Sequence, residues 1–249
     1  MDVADIPTRT TGRWTAAFQV IICCGQLPTQ TAIAAALLAF GVPADVNGQV
    51  PLAFFASVTL LDTVVVIALM GLFLKDGGES PLQVWFGPRE RPHGPYNLPR
   101  ETSLGLIFTP VVLVGAGLVA AALRILVPRL HNVPVSPFDA YFDTPGRAHL
   151  FTVVAMVAGG VREELQRGFL LHRFRHQLGG VRLGLALYSV AFGAFHYTQG
   201  WDVAIITGLL GLFWGYLYIR RGSVAASMVS HAGFNGTQVL QELVLKLAR

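Results

Sequence analysis

The chain has 249 residues, of which 53% are hydrophobic and only 13% charged, against about 25% charged in an ordinary soluble domain. This excludes a water-soluble globular or disordered protein and implies an all-α, polytopic membrane helix bundle, a single domain by length. The formal charge of +4 gives no ground for a nucleic-acid partner, because basic residues in such a chain report membrane topology.

A spanning helix needs about 20 mostly apolar residues. Seven segments qualify or nearly qualify: 14–41, 51–74, 104–127, 149–174, 181–197, 203–219 and 224–245. Ahead of the first, Asp2 and Asp5 are mixed with Arg9 and Arg13. The apolar run that follows exceeds the roughly 7–15 residues of a cleavable signal core, so it reads as a retained span. Cys23 and Cys24 are neighbours that point apart on a helix, so no local disulfide is expected. Pro28 can break the first span, which would give an eighth piece, and Pro110 can kink the third.

The stretch 75–101 holds Pro81, Pro88, Pro92, Pro95 and Pro99, which forbid a long helix there. Leu82, Val84, Trp85 and Phe86 are expected to rest at the headgroup level. A second loop, 128–147, carries Pro134, Pro137 and Pro145 with Phe138, Tyr141 and Phe142, and no proline follows Pro145. Residues 1–147 therefore read as N-terminal transmembrane helices and proline-rich loops, and 148–249 as four uninterrupted helices.

Lys and Arg placement favours a cytoplasmic N-terminus. Arg9, Arg13, Lys75, Arg89, Arg91, Arg100, Arg173, Arg175, Arg182, Arg220 and Arg221 then lie inside. Arg124, Arg129, Arg147, Lys246 and Arg249 lie outside. The preponderance of arginine over lysine suggests a GC-rich, bacterial genome, hence a bacterial plasma membrane.

Glu163 and Glu164 lie deep in the fourth span. A carboxylate at mid-bilayer costs roughly 3 kcal/mol or more, and intramembrane charges mark functional sites by default. Arg167 lies three and four residues on, so it can hold one carboxylate and leave the other free. Gly159 and Gly160, one turn earlier, allow a neighbouring backbone to approach closely. Phe192 and His196 share a helix face at i,i+4, as do His231 and Asn235, with Gly233 between the latter two.

Counting about 1.5 Å per residue puts the three groups at comparable depths, in one cavity opening to the cytoplasm. Glutamate and histidine can take a proton from water as general base. An imidazole N–H and an amide NH2 can stabilise the oxyanion that forms. Glu163, Glu164, His196 and His231 are equally candidate ligands for a divalent metal such as zinc, although the H-E-x-x-H signature is absent. Asp62 is a lone acid in the second span, expected to line the cavity or pair with a neighbour. His131, His172 and His176 are expected in or near solvated loops. Taken singly, each polar pair would serve as well to fix helix packing.

The order of these groups resembles the CAAX protease and bacteriocin-processing family of intramembrane proteases, including type II CAAX prenyl endopeptidases, with its pattern E-E-x-x-x-R, F-x-x-x-H and H-x-x-x-N. Glu163, Glu164, Arg167, Phe192, His196, His231 and Asn235 carry the resemblance, which runs from about Ala148 to the C-terminus. It implies an endopeptidase in which Glu163 and His196 activate water while His231 and Asn235 hold the oxyanion, with Glu164, Arg167 and Phe192 in support. A membrane-associated protein or peptide is then the substrate and the bilayer the other partner. The rival reading is a non-enzymatic membrane protein, a small transporter or an immunity-type scaffold. The second half lacks the internal repeats and helix breaks that a transporter would favour.

Overall fold

The computed structural model describes residues 11–88 and 97–247. Asp2, Asp5, Arg9, Arg89, Arg91, Pro92, Pro95 and Arg249, used above for topology and loop chemistry, lie outside them. The described residues are all-helical, with no strand beyond an isolated bridge between Val46 and Gln49.

The first apolar run splits at Gly25–Gln26 into α1 (Arg13–Cys24) and α2 (Leu27–Ala39), bent by 49°. Pro28 lies in the first turn of α2, where its missing N–H breaks no helical bond. α3 spans Leu52–Asp76, and a short α4, Pro81–Phe86, follows. α5, Leu98–Leu126, stays one helix through Pro110. α6 (Pro145–Ala155) runs through a π-helical segment, Met156–Glu163, into α7 (Glu164–His176). α8 (Val181–Ala194), α9 (Trp201–Arg221) and α10 (Ala225–Leu247) complete the bundle.

Among the described residues, α3, α5 and α9 are long and apolar enough to cross a membrane by themselves, and α1–α2 adds a fourth span if the bent pair is counted as one. The other segments of the expected seven are short, like the 14 residues of α8, carry buried charge, like the rod from α6 to α7, or are less apolar, like the 23 residues of α10. Packing against their neighbours is what fixes them. The outward surface is inverted relative to a soluble protein: Leu106, Ile107, Val111, Val114 and Leu118 of α5 are each more than half exposed. On a helix long and apolar enough to cross a membrane, such a face suits lipid.

α10 is the pivot of the bundle, wedged between α5 and the π-segment. At Gly105 of α5 an added Cβ would lie 2.5 Å from Val229 Cβ, and at Gly160 it would lie 2.5 Å from Ala232 Cβ. Without glycine at both places α10 could not approach either partner so closely. Gly233 meets Thr109 of α5 in the same way.

Two loop expectations are corrected. Val84 and Trp85 are buried, not at the headgroup level; Trp85 Nε1 donates to the Leu165 carbonyl at 3.1 Å, and the Val224 N–H donates to the Trp85 carbonyl at 2.8 Å. α4 is thus a wedge between α7 and the start of α10, and Leu82 keeps an exposed position. His172 is buried as well. α7 runs on to His176, so the His172 ring turns inward and its Nε2 lies 2.6 Å from Glu79, which Arg173 also holds at 2.5 Å. His176 is exposed, and His131, although exposed, pairs with Asp202 at 2.8 Å.

Candidate active site

The π-segment sets the site. Widening the helix from Met156 to Glu163 brings Gly159 and Gly160 against α10 and turns Glu163 toward it; single π-turns often mark functional sites. Glu163 and Glu164 are both buried, at 8% and 0% exposure. Tyr188 of α8 donates its hydroxyl to the Glu163 carbonyl at 3.2 Å, which ties the junction of π-segment and α7 to α8.

The two carboxylates have different partners. Glu164 Oε1 accepts from Arg167 Nη1 and from His231 Nδ1, the latter at 2.8 Å. The Arg167 guanidinium lies over the rings of Tyr188, Phe192 and Trp214 at 5.0, 5.3 and 5.7 Å, an arrangement that stabilises a desolvated cation. Glu163 makes no ion pair with Arg167. Its Oε1 is 3.4 Å from Arg162 Nη2, and its Oε2 is 3.8 Å from His231 Nε2.

The first motif explains this division and needs one correction. The chain reads Glu163-Glu164-Leu165-Gln166-Arg167, with two residues rather than three between the acidic pair and the arginine. Arg167 therefore meets Glu164 at i,i+3.

His231 is fixed by a ring stack and a hydrogen bond. Its ring stacks on Trp214, with centroids 3.9 Å apart and planes inclined by 18°. Trp214 Nε1 in turn donates to Ser230 Oγ at 3.2 Å. Because an ionised carboxylate only accepts, the hydrogen bond to Glu164 places a proton on Nδ1. Nε2 is left facing Glu163 and Gly159. Asn235, one turn further along α10, donates from Nδ2 to the Ala155 carbonyl at 3.0 Å. Its second amide hydrogen remains for another acceptor. A Cβ at Gly159 would collide with Asn235 Nδ2 and come within 3.1 Å of His231 Nε2.

His196 stands apart. It follows the last turn of α8, is half-buried, and donates from Nδ1 to the Phe192 carbonyl at 2.8 Å. A carbonyl only accepts, so Nε2 is the basic nitrogen. Among the described residues no hydrogen bond or ion pair joins His196 to Glu163. The ring of Phe192 stands between the two histidines, 5.1 Å from His196 and 6.1 Å from His231. The structure thus gathers Glu163, Glu164 and Arg167 about His231, with Asn235 one turn further along α10 beside Gly159, and His196 one aromatic ring away.

The set does not fit a metal ion. Glu164 is committed to Arg167 and His231 Nδ1, His196 lies beyond Phe192, and among the described residues no three His, Cys, Asp or Glu side chains gather as ligands. Two participants escaped sequence reasoning. Arg162, to which the sequence assigned no role, is buried against Glu163, and its Nη1 donates to Asp62 Oδ2 of α3 at 2.8 Å. Trp214 carried no signal beyond being an aromatic in an apolar helix.

The fold and site define an integral membrane helix bundle with a buried carboxylate–imidazole–amide cluster. Residues 145–237 match the family model described as Type II CAAX prenyl endopeptidase Rce1-like, so the family resemblance of the motifs is shown over that segment, which begins with the first residue of α6. No curated protein and no solved structure matches the chain.

Proposed function

We propose that the chain is an intramembrane endopeptidase that hydrolyses a peptide bond in a membrane-associated protein or peptide. Glu163 accepts a proton from a water molecule whose approach His196 Nε2 helps to direct, and the hydroxide attacks the scissile carbonyl. The oxygen turning negative receives hydrogen bonds from Asn235 Nδ2 and from His231 Nε2. For Nε2 to donate, His231 must carry both ring protons, with Glu164 accepting from Nδ1. The proton taken by Glu163 passes to the leaving amine. Glu164 and Arg167 anchor His231, and Phe192 spaces the two histidines. In this reading the protein sits in a bacterial plasma membrane with its N-terminus in the cytoplasm.

The observation that carries the proposal is the Glu163 carboxylate, free of Arg167, facing the His231 Nε2 that shares the space beside Gly159 with the Asn235 amide. The family description gives a starting substrate, a peptide ending in a prenylated CAAX sequence, to be compared with its unprenylated counterpart. The broader test compares membrane peptides from cells carrying the wild type with those from cells carrying Glu163→Gln at equal protein level. Cleavage products present only with the wild type support the reading. Identical peptide profiles, with neither synthetic peptide cut, would end it.

A further inference from the structure

Behind Glu163 lies a polar chain that reaches into the N-terminal half of the protein. Arg162 is 3% exposed and uses one terminal nitrogen on each of two carboxylates: Nη1 is 2.8 Å from Asp62 Oδ2, and Nη2 is 3.4 Å from Glu163 Oε1. Asp62 is fully buried in α3, and the same oxygen accepts from Gln30 Nε2 of α2 at 3.4 Å. Asp62 and Gln30 both fall outside the matched segment 145–237.

The two distances differ in a telling way. The Asp62 contact has the length of a charge-assisted hydrogen bond, whereas the Glu163 contact is long for one. A guanidinium in a water-poor interior attracts any carboxylate within reach. Without Asp62 the whole attraction of Arg162 would fall on its neighbour in sequence, and Glu163 would be drawn into a tight pair facing away from His231. With Asp62 taking the shorter bond, Glu163 can extend its other oxygen toward His231 Nε2, 3.8 Å away. The charged groups about Glu163 are then Arg162 on its own segment, Asp62 on α3, Glu164 and Arg167 on α7, and His231 on α10.

We infer that Asp62 is a positioning residue: acting through Arg162, it holds the Glu163 carboxylate in the orientation from which it can take a proton from water. The N-terminal helices therefore complete the active site. This rests on the reading of Glu163 as the base.

The experiment measures kcat and KM of purified full-length protein on the cleaved peptide, for Asp62→Asn, Arg162→Gln, the double variant and Glu163→Gln, each checked for folding by thermal melting. A second readout needs no turnover: labelling of Glu163 by a hydrophobic carbodiimide, quantified by peptide mass spectrometry. Asp62→Asn should lower kcat roughly 10–100-fold, the scale of a misplacement of about 1 Å, with KM unchanged and Glu163 labelling reduced. Most of that loss should vanish when Asp62→Asn is made in the Arg162→Gln background. Asp62→Glu should recover part of the rate. Wild-type kcat and labelling in Asp62→Asn would overturn the inference, as would an undiminished effect in the Arg162→Gln background. If Glu163→Gln itself turns over normally, the base assignment fails instead, and the labelling result alone then decides whether Asp62 orients Glu163.

Discussion

Gly159→Ala adds one methyl group where the geometry has no room for it. The new Cβ would overlap Asn235 Nδ2, sit 3.4 Å from Asn235 Cγ and sit 3.1 Å from His231 Nε2. His231 is stacked on Trp214 and bonded to Glu164, so Asn235 is the group that moves. Its hydrogen bond to the Ala155 carbonyl is then lost, about 0.5–1.5 kcal/mol, in addition to about 1–3 kcal/mol for overpacking. If Asn235 is an oxyanion donor, turnover falls roughly 10²–10³-fold, the effect of removing one donor. Purified wild type and Gly159→Ala are compared for peptide cleavage and thermal unfolding on the same preparations. The expected result is a folded but clearly less stable protein with most of its activity gone. A variant of wild-type turnover would refute the argument that Gly159 exists to admit Asn235 and His231.

Three further outcomes are expected. Arg167→Ala leaves Glu164 buried with only His231 as partner, and removing one member of a buried pair costs about 3–5 kcal/mol; size-exclusion profiles should show mainly loss of folded protein, and an unchanged melting temperature would contradict this. Asn235→Ala should lose roughly 10²–10³-fold in turnover with its fold kept, and Asn235→Asp should be at least as damaging because it offers an acceptor where a donor is needed; full activity per folded molecule in Asn235→Ala would remove the residue from the mechanism. Burial pushes the Glu79 carboxyl up, but His172 and Arg173 outweigh it and hold the group below its usual value of 4.5. A carboxyl whose folded value is lowered adds stability above its unfolded value, and that stability fades as pH falls through the folded value. Melting temperature should therefore decline below about pH 4.5, less steeply in Glu79→Gln, and identical acid limbs in both proteins would sink this reading.

The polar residues of the site were legible because lipid makes them conspicuous. A glutamate pair, two histidines and an asparagine stand out in apolar helices, and their i,i+4 spacing gives a common face. That Arg167 can hold one of the two glutamates, and that the first span can break near Pro28, follow from helix geometry alone; which glutamate it holds does not. The π-segment did not, because its hydrogen bonds depend on α10 packing against Gly159 and Gly160, a tertiary fact with no local pattern. Asp62 and Arg162 lie 100 residues apart, and nothing in one chain announces such a contact. Trp85 misled for a related reason: tryptophan suits both a headgroup region and a buried site with a carbonyl to receive its N–H. The Leu165 carbonyl that receives it comes from α7. His196 was expected at the same depth as Glu163, and helical rise carries no information on the Phe192 ring that separates it from His231.

The central claim is that Glu163 activates water against a peptide bond. The most direct test is a single turnover of the cleaved peptide in H2¹⁸O, with wild type and Glu163→Gln followed by mass spectrometry of both product and protein. The account predicts one ¹⁸O in the new product carboxyl and none in Glu163, with no product from folded Glu163→Gln. Cleavage at the wild-type rate by folded Glu163→Gln, or ¹⁸O recovered in the Glu163 carboxylate, would contradict it.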